Sequence, residues 1–306
     1  MMILFKEYMS KFIVTTTIQS PTEATLQYSQ IDNWKLIVVG DKKTPHEEYQ
    51  ELNCIYLTPE DQEDLNKDLS DSIGWNCIQR RNLGFLYSYL NGAEVVATVD
   101  DDNIPYDFWG EDVYIDKEID VEIFESENGY FDPLSTTNHN DLWHRGYPIE
   151  KVPTKNNIKS IGIEKRKVLV QADLWNGDPD IDAICRLSKQ PEVNFNIKKP
   201  FASNQISPFN SQNTFLSREV LPFYMMYPKV GRMDDIWASY TVQKQFPNSV
   251  IYNKATVYQE RNEHDIVLDL EREIIGYRNT LNLLENKYNI PDNVQHSFEI
   301  YKNCFN

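Results

Sequence analysis

The stretch Glu94-Val95-Val96-Ala97-Thr98-Val99-Asp100-Asp101-Asp102-Asn103-Ile104-Pro105 sets a nearly continuous apolar run directly before three adjacent carboxylates. A short run with no polar face predicts a strand buried on both sides, as in a parallel sheet covered by helices. Open α/β sheets bind ligands beyond the carboxyl ends of their strands, where these aspartates fall. Asp-Asp-Asn before Pro is also good turn chemistry, but three adjacent like charges gain little from a plain turn. One or two carboxylates holding Mg²⁺ or Mn²⁺ leave coordination positions free for phosphate oxygens. Asp100 and Asp102 are the expected metal ligands, and Asp100 and Asp101 are expected beside a bound diphosphate.

Upstream, strand-like segments alternate with helix-like ones. Phe12 to Ile18 reads as a strand and Ser20-Pro21 as a helix start. Lys35 to Val39 is a second strand closing on Gly40-Asp41, and Asn53 to Leu57 a short third. Asn76 to Leu90 reads as a helix, with Ile78, Phe85, Leu86 and Tyr89 at helical spacing and Asn91-Gly92 as its stop. The order predicts an α/β protein with a mostly parallel, Rossmann-like sheet flanked by helices. On the Asn76–Leu90 helix, Arg81, Gly84 and Ser88 form a small-residue face open to close approach. Arg81 offers paired donors suited to diphosphate.

Downstream, residues 103–158 read as loops rich in Asp, Tyr, Trp and Pro, with one strand at Val121 to Phe124. Strands follow at Val168 to Gln171, Thr214 to Leu216, Val250 to Tyr252 and Ala255 to Tyr258, and helices at Ile181 to Leu187 and Asp234 to Gln245. The tail is helical, with Ile266, Leu270, Ile274, Tyr277, Leu281 and Leu284 at spacings of three and four. The expected division is one domain over 1–262, with a nucleotide-binding half 1–105 and an acceptor half 106–262, and a helical extension over 263–306. Within the acceptor half, Trp175 precedes Asp178, Asp180 and Asp182. Asp178-Pro179 can start a helix, but capping does not need three carboxylates, and an aromatic-plus-carboxylate platform for an acceptor sugar is expected here.

At 306 residues and 41% hydrophobic, the chain can bury a sizeable core. A formal charge of −17 argues against a nucleic-acid partner, which needs a basic face. It leaves a polyphosphate ligand open, because a divalent cation inverts the local sign. Cys54, Cys77, Cys185 and Cys304 lack metal-site spacing and read as free thiols in a reducing compartment. No apolar stretch approaches the ~20 residues of a membrane span, so a soluble, cytoplasmic protein is expected.

The segment CIQRRNLGFLYSYLNGAEVVATVDDDNIP, Cys77 to Pro105, resembles the STELLO glycosyltransferase-like family, and more distantly the plant reversibly glycosylated polypeptides (UDP-arabinopyranose mutases). HRGYP at 144–148, LWNGDPDIDAICRL at 174–187, NSQNTFLSREVLPFYMMYP at 210–228 and MDDIWASY at 233–240 agree in order, so the likeness runs from Ile13 to His264. It implies a GT-A-like fold, a nucleotide-diphosphate-sugar donor (a UDP-sugar favoured), a divalent metal and a carbohydrate or other hydroxyl acceptor. Thr16, Thr17 and Asp41 would hold base and ribose. Asp235, supported by Asp234, would be the base of an inverting displacement, and His264 a third metal ligand. Arg145 of the RGYP block is tied in the mutases to self-glycosylation, but Ile149-Glu150-Lys151-Val152-Pro153 lacks their second arginine. Plant STELLO proteins carry a membrane anchor, and no stretch of these 306 residues is apolar enough to be one. The rival expectations are a mutase or self-glycosylating protein using Arg145, and a non-catalytic nucleotide-sugar-binding scaffold.

Overall fold

The computed structural model describes residues 10–260 and 265–306. The first half comprises β1 (Lys11–Thr17), α1 (Glu23–Tyr28), β2 (Lys35–Gly40), β3 (Ile55–Leu57), α2 (Pro59–Leu65), α3 (Lys67–Ile73), α4 (Arg81–Leu90), β4 (Val95–Val99) and β5 (Asn103–Pro105). Then come β6 (Glu118–Ser126), β7 (Ile158–Lys167), β8 (Val170–Gly177), α5 (Ala183–Lys189), β9 (Phe201–Ala202) and β10 (Asn213–Ser217). The chain finishes with α6 (Asp234–Gln245), β11 (Val250–Gln259), α7 (Ile266–Leu284) and α8 (Asp292–Asn303).

The strands form one sheet in the order β3-β2-β1-β4-β10-β8-β11-β9-β6-β7, with β5 on β11. All five residues of β4 are buried, as the apolar run predicts. Neighbouring residues of β1 serve opposite layers: Phe12 and Val14 enter one core, Ile13 the other. Gly84 is what lets α4 lie on the sheet, since a Cβ there would stand 2.4 Å from Val14 and 2.8 Å from Val39. The expected small-residue face therefore meets a strand.

The α/β class is as expected, but the sheet is mixed rather than mostly parallel. β3, β2, β1 and β4 run parallel, whereas β10 is antiparallel to both β4 and β8. Asn213 at the start of β10 faces Val99 at the end of β4, so β10 enters from the ligand-binding edge. No helix carries the chain back across the sheet first, and direction reverses. The strand expected at Val121 to Phe124 is the longer β6, and it forms an extended antiparallel ribbon with β7, a strand that the sequence reading does not anticipate.

The C-terminal helices pack on the body. Leu283, Leu284, Val294, Tyr301 and Phe305 join the larger core, and the fully buried Trp237 of α6 donates to Thr280 of α7 at 3.1 Å. Among the described residues, no helix is long and apolar enough to cross a membrane.

Candidate active site

Two adjoining cavities lie at the carboxyl ends of β1, β2 and β4. The smaller, about 280 Å³, is lined by Thr16, Thr17, Asp41 and Asp101. The larger, about 530 Å³, is lined by Asp100, Asp102, Arg145, Asp180, Asp234 and Asp235. Asn76, Cys77 and Ile78 border both, making one bipartite cleft.

In the smaller cavity, Thr17 donates to the Asp101 carboxylate at 2.5 Å, tying β1 to the aspartate turn. Burial, with the neighbouring Asp100 charge, raises the Asp101 carboxyl despite that bond. Asp41 accepts from the backbone amides of Lys42 at 2.6 Å and Cys77 at 3.1 Å. Thr16 donates to the Val39 carbonyl at 2.7 Å. Thr16, Thr17, Asp41 and Asp101 thus come together around one cavity.

The turn divides its carboxylates. Asp100 and Asp102 face the larger cavity while Asp101 borders the smaller one. Asp100 is fixed by Arg81 at 2.7 Å, and Arg81 also donates to Thr98 at 3.2 Å and to the Ser211 carbonyl at 2.9 Å. Arg81 is 1% exposed and lines neither cavity. Expected at the diphosphate, it stands behind Asp100 instead, because a guanidinium this deep must find protein acceptors.

Two carboxylates on one cavity wall suit a hard divalent cation. Among the described residues, no three His, Cys, Asp or Glu side chains gather into a complete cage. Such a half-site fits Mg²⁺ or Mn²⁺, whose other positions water and ligand phosphates would fill. His264, expected as a further ligand, lies outside the described residues.

The start of α6 lines the same cavity. Arg145 forks between two carboxylates. Its Nε and Nη2 donate to Asp180 at 2.7 and 3.0 Å, and its Nη1 and Nη2 to Asp235 at 2.9 and 3.0 Å. Nη1 also donates to the Arg232 carbonyl. Asp235 accepts further from the Ser211 amide at 2.9 Å and its hydroxyl at 3.2 Å. Gly146, at φ +77°, permits this docking: a Cβ there would lie 2.3 Å from Ile236 of α6.

These contacts split the acidic pair. Burial opposes ionisation of Asp180 and Asp235, but the Arg145 guanidinium more than offsets it and holds both carboxyls below the usual carboxylate range. Asp234 has no ion pair among the described residues. Gln79 donates to it at 2.7 Å, and burial followed by the charge of Asp235 pushes its carboxyl up to about 7.

The expected acceptor platform does not assemble as a unit. Asp180 and Arg145 line the larger cavity, but Trp175, Asp178 and Asp182 do not. Trp175 is 2% exposed, with its indole edge-on to His144 and Phe195. Asp182 caps α5 through the Cys185 amide at 2.8 Å and accepts from Trp143 at 2.6 Å, and burial pushes its carboxyl up to about 7. Asp178 pairs with Arg186 at 2.6 Å. Sequence reading misses Gln79, Ser211, Lys229, Arg232 and Arg272 on the cavity wall. The usable signal is Lys-Val-Gly-Arg just before the acidic pair, and Arg272 carries none.

A parallel half whose strand ends bear the carboxylate turn is joined to a second half that brings an acidic helix start to the same cleft, in one mixed α/β arrangement. The resemblance to STELLO-type glycosyltransferases holds over most of the chain. It is 23% identical over 299 residues to the probable glycosyltransferase STELLO2 of Arabidopsis thaliana, covering 86% of this chain and 38% of that protein. With STELLO1 of the same plant it is 23% identical over 259 residues, covering 76% and 33%. The chain thus spans between about a third and two fifths of the length of these relatives. No family model matches it. Among solved structures it is similar to glucosyl-3-phosphoglycerate synthase from Mycobacterium tuberculosis, solved with Mn²⁺, UDP and glucosyl-3-phosphoglycerate. That likeness has 11% identity and a TM-score of 0.47, and covers 92% of this chain and 81% of the other.

Proposed function

We propose that the chain is a metal-dependent glycosyltransferase that moves a sugar from a nucleotide-diphosphate donor, a UDP-sugar favoured, to a hydroxyl acceptor. The observation that carries this is the bipartite cleft: Asp100 and Asp102 at the end of β4 face the same cavity as Asp234, beside a second cavity walled by Thr16, Thr17 and Asp41. The glycosyltransferase names of the relatives support it. The smaller cavity takes base and ribose, and Asp100 and Asp102 hold the cation. When bound, the metal neutralises charge developing on the departing diphosphate.

The acceptor oxygen bonds to the anomeric carbon as the bond to the diphosphate oxygen breaks, and its proton passes to a carboxylate. Sequence points to Asp235 for that role. The geometry favours Asp234, because Arg145 engages both oxygens of Asp235 and keeps it a weak base, whereas Asp234 is poised near neutrality. Asp235, Arg145 and Asp180 then act as the frame that positions it. The same frame weighs against self-glycosylation at Arg145, since every guanidinium nitrogen already donates to a carboxylate.

A thermal-shift screen of UDP-, GDP- and dTDP-sugars with and without Mn²⁺ tests the proposal. Stabilisation that needs both nucleotide and metal is expected. A metal-independent response, or none, would count against it. Donor binding without hydrolysis or transfer would leave a non-catalytic scaffold.

A further inference from the structure

The larger cavity is lined by basic as well as acidic side chains, which is unexpected in a chain of formal charge −17. Lys229, Arg232 and Arg272 all line it. Arg232 is engaged by Asp269 at 3.2 Å and Glu273 at 2.8 Å. Lys229 and Arg272 are exposed and form no ion pair among the described residues.

The fold maintains this pair at a cost. Lys229 holds φ at +64°, a left-handed conformation that is unfavourable for a residue with a Cβ. Two residues on, Gly231 sits at φ +62°, and a Cβ there would stand 1.9 Å from the Arg272 carbonyl oxygen. Only glycine lets this loop press its backbone against α7 at Arg272. The Arg232 bridges, to residues 269 and 273 of the same helix, clamp that joint. Loop and helix are locked where two cations with no ion pair among the described residues border the cavity that holds Asp234.

We propose that Lys229 and Arg272 form an anion subsite for the acceptor, and that the acceptor carries a dianionic group, a phosphate monoester being the simplest, beside its reactive hydroxyl. Two cations match a dianion better than a single carboxylate, and charge-assisted bonds to it would orient the hydroxyl toward Asp234. The donor diphosphate is a poorer match. Asp100 and Asp102 supply its metal, and neither cation borders the nucleoside cavity. The word acceptor rests on the function proposed above; the anion subsite does not.

The test is calorimetric titration of inorganic phosphate, with acetate as the monoanionic control, into the full chain already saturated with UDP and Mg²⁺. Phosphate should bind at least tenfold more tightly than acetate. Lys229→Ala combined with Arg272→Ala should weaken phosphate at least tenfold, leaving UDP·Mg²⁺ affinity within twofold and the unfolding midpoint unchanged. Lys229→Arg with Arg272→Lys should retain phosphate binding. No phosphate uptake, uptake insensitive to the alanine pair, or parallel loss of UDP·Mg²⁺ would overturn the subsite. If UDP·Mg²⁺ does not bind at all but phosphate binding still depends on the two cations, the glycosyltransferase reading fails and the subsite stands.

Discussion

Replacing Arg145 with methionine keeps most of the side-chain volume and removes the counter-charge of two buried aspartates. The side chains of Arg145, Asp180 and Asp235 are 9%, 6% and 4% exposed, so water cannot take the guanidinium's place. Removing one partner of a buried pair costs about 3–5 kcal/mol, mainly through the charge left behind. Here the loss is capped, because the stranded carboxyls can take up protons. In the wild type both carboxyls are depressed, so their contribution is present at neutral pH and is lost only as pH falls through the folded values. Without Arg145 burial dominates and raises them above their unfolded values, reversing the sign: the variant gains stability as pH falls. Urea unfolding should show a loss of about 3–5 kcal/mol at pH 7.5, narrowing by at least ~1 kcal/mol at pH 5, with an unchanged m-value. Arg145→Lys, which lacks the fork, should fall between. A loss below ~1 kcal/mol, or an equal loss at both pH values, would refute the assignment of Arg145 as counter-ion to the pair.

Asp234→Asn should abolish the rise of kcat/KM with pH through about 7, since a base with its carboxyl pushed to that value works only when deprotonated. If the pH profile persists in that variant and vanishes in Asp235→Asn instead, the base is Asp235. The same Asp234→Asn change should stabilise the fold more at pH 8 than at pH 5, because the wild-type group is raised and its folded form is penalised as pH climbs past it. Gly231→Ala should cost upwards of ~2 kcal/mol in urea unfolding, from the left-handed backbone and the contact with the Arg272 carbonyl together. A neutral Gly231→Ala would mean that the loop is not pinned to α7.

Much of the first half is legible because local rules agree there. The apolar run of β4 and the second strand closing on Gly40 each read one way, and the structure follows. The reversed entry of β10 is not legible, since direction depends on where residues 190–212 lie in space, which periodicity does not encode. β7 eludes reading for another reason: most of it is exposed, so it has no alternating apolar face to recognise. In the site, residue type was a guide to location but not to role. Arg81, Asp182 and Asp235 carry the chemistry expected of ligand-binding groups, yet each is engaged by a protein partner from a distant segment. Trp175 looks like a sugar platform in sequence, but its ring is enclosed by His144 and Phe195.

The central claim is that Asp100 and Asp102 hold the metal of a nucleotide-diphosphate-sugar site at the end of β4. Its most direct measurement is release of UDP from UDP-sugars with Mn²⁺ by the full chain, compared with Asp102→Ala and with chelated wild type. The account predicts turnover by the wild type and a loss of at least ~100-fold in both comparisons, the order expected when an electrostatic stabiliser is removed. Turnover unchanged by chelation and by Asp102→Ala would contradict it.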